Sequence, residues 1–319
     1  MSGTCIIYLA SSLTGYNSIL STGEKRIDMT YMSLKNVTSV LKLPVIMFHE
    51  DFTDEVMSNM KKIYSDVTFE KIDMVREDLP FIPKPCITSN ISDGKCTCHK
   101  PATQKNPKDI CFRPKGYLMM CRFFSGEMQR HPALQKYDGY VRFDDDSFLL
   151  PPFVPQGDFL GKISSYDYVF RSLFRESRDQ SDMFRFTVDF CQNNGLDWRS
   201  MIDHLKRSGV LDGGGRYTGL APYNNFHFSK LSLWRHPLVK KYVDELEAVG
   251  GCLKKGWMDA NIHAMLVFVL MPLIGRSPFV FTTFGYRHNR HFSAFGSPGL
   301  RYIDAERFFP LVDISEINI

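Results

Sequence analysis

The feature that most restricts what this chain can fold into is a strand–helix–strand succession near its start. Pro44-Val45-Ile46-Met47-Phe48 is a short apolar run and reads as a strand. Thr53 follows in an N-cap position, with Asp54 and Glu55 in the first turn, where carboxylates answer the positive end of the helix dipole. Val56, Met60 and Ile63 recur at four- and three-residue spacing, so one helix runs to about Tyr64. Val67-Thr68-Phe69 reads as the next strand, and Cys5–Ala10 as an earlier one before a turn-forming stretch. Strands alternating with a helix in this order belong to a parallel sheet, so the fold class is α/β.

Length and charge narrow the class further. The 319 residues suit two small domains or one large α/β domain, and the expectation here is a single domain over 1–319. With 13% aromatic residues the chain is not a disordered one. A net charge of +4 is too mild for a protein that lives on a nucleic-acid backbone, but leaves room for a local basic pocket. Met1-Ser2-Gly3-Thr4 runs straight into a six-residue apolar stretch with no basic segment before it. The longest other apolar stretch, Ala264 to Gly275, is too short to span a bilayer and contains Pro272. Together these predict no membrane span and a cytoplasmic protein.

Residues 80–116 break the pattern. They hold six prolines and four of the eight cysteines, without periodicity, and read as a long loop or insertion. Cys86, Cys96, Cys98 and Cys111, with His99, are either a zinc-holding loop or plain thiols, and their spacing decides neither.

From Tyr117 the pattern firms up. A helix is expected over Tyr117–Arg130, ended by His131-Pro132. Strands are expected at Tyr140–Phe143, Tyr168–Phe170 and Phe226–Phe228, and a flexible loop at Asp212-Gly213-Gly214-Gly215. Pro237 opens an amphipathic helix with Leu238, Tyr242, Leu246 and Val249 on its apolar face, stopped by Gly250-Gly251. A last, mostly buried helix follows Trp257-Met258-Asp259.

The sharpest chemical feature is Asp144-Asp145-Asp146 at the end of an apolar strand. In open α/β sheets ligands bind at the carboxyl ends of strands. Three adjacent carboxylates repel one another, and a divalent cation relieves that cost; Mg²⁺ or Mn²⁺ takes oxygen ligands and is commonly completed by a substrate's phosphates. In an extended segment alternate residues face opposite ways, so two of the three would meet the metal. The competing reading is a solvated acidic turn, against which the flanking Phe143 and Phe148-Leu149-Leu150 speak. Asp259 opens an apolar helix, either as a simple N-cap or as a carboxylate that orients or deprotonates a hydroxyl. His288 and His291, among Arg287 and Arg290, could complete a metal shell or neutralise phosphates.

These motifs, in this order, resemble the fungal α-1,2-mannosyltransferase family, glycosyltransferase family 15. The matching run is Met120-Cys121-Arg122-Phe123-Phe124-Ser125-Gly126, then Arg130-His131-Pro132, then Tyr137-x-x-Tyr140-Val141-Arg142-Phe143-Asp144-Asp145-Asp146. Asp212-Gly213-Gly214, Asn225-Phe226-His227, Trp257-x-Asp259-Ala260-x-x-His263 and Gly285-Tyr286-x-His288 continue it.

The resemblance implies a GT-A fold, a Rossmann-like nucleotide-diphospho-sugar transferase with a mixed, mostly parallel central sheet flanked by helices. It implies a nucleotide-sugar donor (GDP-mannose, or a UDP-sugar where the chain departs from the family), a glycan or glycoprotein acceptor, Mn²⁺ or Mg²⁺, and retaining transfer. Carried over by motif, Asp144, Asp146 and His288 hold the metal. Tyr117 and Arg122 contact the donor, with Ala10, Ser11, Asp145 and Asn225 around it. Asp259 and His227 are the catalytic candidates, with Asp259 as the base if the reaction inverts. Two departures stand out: His227 falls where the family has its proposed nucleophilic Glu, and Ser11-Ser12 replace a basic residue after the first strand. A metal-dependent phosphohydrolase and a catalytically degenerate nucleotide-sugar-binding protein are the rival readings.

Overall fold

The strand–helix–strand unit forms as its residue pattern predicts. β1 is Thr4–Ala10, β2 Val45–His49 and β3 Val67–Lys71, all parallel, and the helix between β2 and β3 runs Asp54–Ile63. Its N-cap is Thr53, whose side chain accepts from the Val56 N–H at 3.3 Å. The computed structural model describes residues 3–11, 26–74, 91–92, 95–96, 115–150, 156–176, 180–288, 291–293, 296–299 and 301–302. Apart from a two-by-two hairpin of β4 (Ile91–Ser92) and β5 (Lys95–Cys96), the core of the 80–116 segment lies outside the described residues, and so does the zinc-or-thiol question of Cys86, Cys98 and Cys111, as does the Cys96 side chain.

The remaining strands are β6 (Gly139–Phe143), β7 (Ser147–Leu150), β8 (Tyr168–Phe170), β9 (Leu173–Arg175), β10 (Leu220–Pro222), β11 (Phe226–Lys230), β12 (Pro278–Val280), β13 (Gly285–His288), β14 (His291–Ser293) and β15 (Arg301–Tyr302). The central sheet has the order β12-β8-β11-β6-β1-β2-β3. It is parallel except where β11 runs against both β6 and β8. The second sheet, β15-β14-β13-β7, is antiparallel.

Both faces of the central sheet are covered, which is why its strands read as unbroken apolar runs rather than alternating ones. Cys5 and Ile7 of β1, with Tyr140 of β6, point into one core; Ile6 and Tyr8, with Val141 and Phe143, point into the other.

Two helices depart from their expected form. The segment read as one helix over Tyr117–Arg130 begins at Lys115 as α-helix, widens to a π-turn over Phe123–Glu127 and closes as a 3-10 turn over Met128–Arg130. Gly126 sits inside the π-turn at φ +150°, and a Cβ there would stand 2.2 Å from Val243 Cγ1. That close approach also explains the second departure. The helix Pro237–Ala248 buries Val239, Tyr242, Val243 and Leu246, while Leu238 and Val249 are only half-buried. The last helix starts at Asp259, with all seven residues of Asp259–Met265 buried, and itself widens to a π-turn over Leu266–Leu270.

Candidate active site

β6 and β7 belong to different sheets, and the three aspartates are the only residues between them. They do not lie in an extended segment, as expected from the sequence, but in a turn: the Ser147 N–H donates to the Asp144 carbonyl at 3.0 Å, and the Asp144 N–H donates to the Asn225 carbonyl at 3.1 Å. Nor is this a solvated acidic turn, since Asp145 is 1% and Asp146 6% exposed. Ser33 of the helix Arg26–Val40 braces it from behind, donating to the Ser147 carbonyl at 2.6 Å.

Strand register brings His288 to the same place. β13 pairs antiparallel with β7, and His288 stands opposite Ser147. Its Nε2 lies 3.0 Å from Asp146 Oδ1 and 3.4 Å from Asp144 Oδ2. The Tyr223 hydroxyl meets its Nδ1 at 2.7 Å and so fixes the ring plane. Burial opposes the charged imidazole, but Asp146 and the neighbouring acceptors outweigh it, and the His288 pKa is raised.

Arg142 lies on the other side of Asp144. It is 1% exposed in the middle of an apolar strand. Its Nε and Nη2 reach Asp144 Oδ1 at 3.0 and 2.9 Å, and its Nη1 reaches Asp259 Oδ2 at 2.9 Å. Burial alone would push the Asp144 pKa up; Arg142 and His288 overcome it and hold the carboxyl well below the usual range. Asp259 is the first residue of its helix, with Met258 as the N-cap, so it is no simple cap. Asn224 gives Asp259 Oδ2 a second donor at 2.9 Å.

The other expected site residues divide. Asn225 is buried beside the aspartates, its Oδ1 accepting from the Tyr286 hydroxyl at 3.0 Å. Ala10 and Ser11 stand at the carboxyl end of β1, where Ser11 donates to Asp51 at 3.1 Å. Tyr117 is half-buried with its hydroxyl 3.8 Å from the sulfur of Met258, next to Asp259. Arg122 departs from its expected role: it is engaged by Glu127 and Glu247, both at 2.6 Å, and lines a cavity of about 160 Å³ with Ser125, Val243 and Ile262. His227 does not line a reacting face either. It has no exposed surface, its Nδ1 donates to the Asn224 carbonyl at 2.8 Å, and its Nε2 accepts from Tyr140 at 3.1 Å. Burial first, then the neighbouring His263 and Arg142, lower its pKa and keep it neutral.

Sequence reasoning missed Arg142, Tyr223 and Asn224. The spacing Arg142-x-Asp144 across the end of β6 carried a signal for the first: residues two apart leave an extended chain on one face. Tyr223 and Asn224 carried none, because their roles depend on β11 lying beside β6.

Among the described residues no group of three or more His, Cys, Asp or Glu stands in a ready-made metal shell. The residues fit a divalent cation by their chemistry. Two carboxylates and an imidazole make a hard-to-borderline O,O,N set.

A mixed, mostly parallel sheet with acidic residues at the end of its central strand, handed on to a second sheet that supplies a histidine, is the arrangement of the GT-A fold. The comparisons agree. The sequence model of the glycolipid 2-alpha-mannosyltransferase family matches residues 45–297, and the chain belongs to that family. It is 25% identical over 189 residues to a glycolipid 2-alpha-mannosyltransferase of Saccharomyces cerevisiae, covering 54% of this chain and 39% of that one. It is 27% identical over 218 residues to glycolipid 2-alpha-mannosyltransferase 2 of Candida albicans, covering 63% and 43%. In structure it is similar to core-mannan synthase A of Aspergillus fumigatus in its Mn/GDP form, at TM-score 0.70 and 17% identity over 99% of this chain and 82% of that one. It is also similar to the mannosyltransferase Ktr4p of S. cerevisiae, at 0.64 and 21% over 92% and 72%. The match spans about two fifths of the length of these curated relatives. The cytoplasmic placement expected from the sequence is overturned by the same relatives, since the fungal enzymes of this family act in the Golgi lumen. Among the described residues no helix is long and apolar enough to cross a membrane.

Proposed function

We propose that this chain is a divalent-cation-dependent mannosyltransferase that moves mannose from GDP-mannose to a hydroxyl of a glycan acceptor. The observation that carries the reading is the convergence of Asp144, Asp146 and His288 at the seam of two sheets. The Mn/GDP form of core-mannan synthase A, whose fold this chain shares, supports a guanine-nucleotide donor and a divalent metal. When bound, Mn²⁺ or Mg²⁺ would supply a positive charge against the diphosphate as GDP leaves.

The chain's own residues divide the remaining work. Asp144, Asp146 and His288 would hold the cation; Ala10 and Ser11, at the carboxyl end of β1, and Asn225, just before the antiparallel β11 on the other side of β6, would border the nucleotide side. Asp259, its Oδ2 held by Arg142 and Asn224, faces the acceptor and orients its hydroxyl. The bond from the anomeric carbon to the phosphate oxygen breaks, the bond to the acceptor oxygen forms, and the hydroxyl proton leaves with a phosphate oxygen or Asp259. With neutral, buried His227 at the position of the family's proposed nucleophile, that position offers no carboxylate for a covalent glycosyl intermediate. Retention would then run by attack on the face that GDP leaves.

The test is GDP release from GDP-mannose with and without Mn²⁺ and a mannoside acceptor, in the native chain and in Asp144→Asn. Metal-dependent mannoside formation that the substitution abolishes is the expected result. Undiminished turnover refutes the cation assignment, and binding of GDP-mannose without turnover would favour a nucleotide-sugar-binding protein.

A further inference from the structure

One guanidinium joins the two carboxylates that the proposed function puts to different tasks. Arg142 presents one edge, Nε and Nη2, to Asp144 at 3.0 and 2.9 Å, and its remaining nitrogen, Nη1, to Asp259 at 2.9 Å. The face of its plane lies on the Phe124 ring, 3.4 Å from Cζ to the centroid, and Nη2 also reaches the Met120 sulfur at 3.9 Å. The backbone beneath is equally fixed: Arg142 is in register with Ile7 of β1 on one side and His227 of β11 on the other. Strand, ring and two acids therefore leave the guanidinium one position.

This is more than a buried ion pair. A single pair in a core is commonly replaceable by apolar residues without loss of stability. Here one cation serves two acids, an arrangement that keeps excess negative charge at the site, beside His288. The planar fork is also essential to it, since only a guanidinium offers donors along two edges at fixed angles. We propose that Arg142 is a positioning residue that locks Asp144 and Asp259 into one rigid unit, so that the donor-side and acceptor-side carboxylates keep a fixed register. The proposal rests on the roles given above to Asp144 and Asp259, and it explains why Arg142 reaches both from a strand that otherwise buries only apolar and aromatic side chains.

The experiment compares the native chain with Arg142→Lys, which keeps the charge but has one nitrogen and cannot span both acids. Crystal structures of the metal-free proteins are expected to show at least one of the two carboxylates swung out of place. Mn²⁺ affinity, read by EPR without donor, is expected to fall about tenfold. Mannosyl transfer is expected to lose about 100-fold in kcat with acceptor KM little changed, and donor hydrolysis to rise relative to transfer. Carboxylates that stay in place, with affinity and kcat unchanged, overturn the proposal. If Arg142→Lys does not fold, Asp259→Asn serves instead: it leaves the Arg142–Asp144 pair intact, and Mn²⁺ affinity that weakens at a residue outside the metal set supports the coupling, whereas unchanged affinity overturns it. Should the native chain neither bind Mn²⁺ nor consume GDP-mannose, the proposed function falls, and the two metal-free structures alone decide the positioning role.

Discussion

His288 Nε2 stands 3.0 Å from Asp146 Oδ1 although 142 positions separate them in the chain, because β13 pairs with β7 so that His288 lies opposite Ser147. The metal proposal depends on that register. His288→Ala is expected to leave the fold intact and to weaken Mn²⁺ binding at least tenfold, in line with the loss of one ligand of three. Mn²⁺ titration followed by EPR checks it; binding that persists at native strength would remove His288 from the site.

Tyr223 reaches the site through His288, its hydroxyl 2.7 Å from Nδ1. Outer partners of a ligating histidine typically matter by about 10–100-fold. Tyr223→Phe is therefore expected to reduce Mn²⁺ affinity about tenfold with the melting temperature nearly unchanged. Calorimetric titration of the metal, with a thermal melt as control, measures both.

Acid should destabilise this fold through two core histidines. His263 is buried with its Nε2 donating to the Phe124 carbonyl at 3.0 Å and its Nδ1 accepting from Tyr168 at 2.7 Å. Burial lowers its pKa to about 4, and lowers that of His227 as well. The unfolded chain takes up these protons below about pH 6.5, where the folded chain does not. Stability is thus fully present above that pH and is lost as pH falls toward the folded values, by up to ~1.4 kcal/mol per pH unit for each histidine. Thermal melts from neutral pH down to about pH 5 should show the fall, and His263→Gln should flatten it; an equally steep profile in that variant would place the acid sensitivity elsewhere.

Gly126→Ala tests the π-turn. At φ +150° a side chain is strained, and the new Cβ would meet Val243 Cγ1 at 2.2 Å. The expected cost is about 2–4 kcal/mol from strain and overpacking together, read by urea denaturation. Adding Val243→Ala should recover the overpacking part and leave the backbone strain.

The residue string alone determined the α/β class, the strand–helix–strand start, six of the seven strands of the central sheet and the acidic strand end, but not the helices Arg26–Val40 and Ser181–Asn193 or the strands of the second sheet. Apolar runs, caps and turn residues act over a few neighbours, and Thr53, Asp54 and Glu55 mark the start of a helix whatever surrounds them. The ordered motifs from Met120 to His288 pointed to the family on the same footing. Tertiary structure alone decided which polar side chains meet. Arg142 becomes a link only because β6 lies against the helix of Asp259, and His227 becomes a buried, neutral core residue only because β8 and the His263 helix close over it. Arg122 turns to Glu247, 125 positions away, because Gly126 lets the helix Pro237–Ala248 approach. Such contacts follow from strand register and helix packing, which depend on the whole chain at once, whereas the elements themselves depend on short-range spacing.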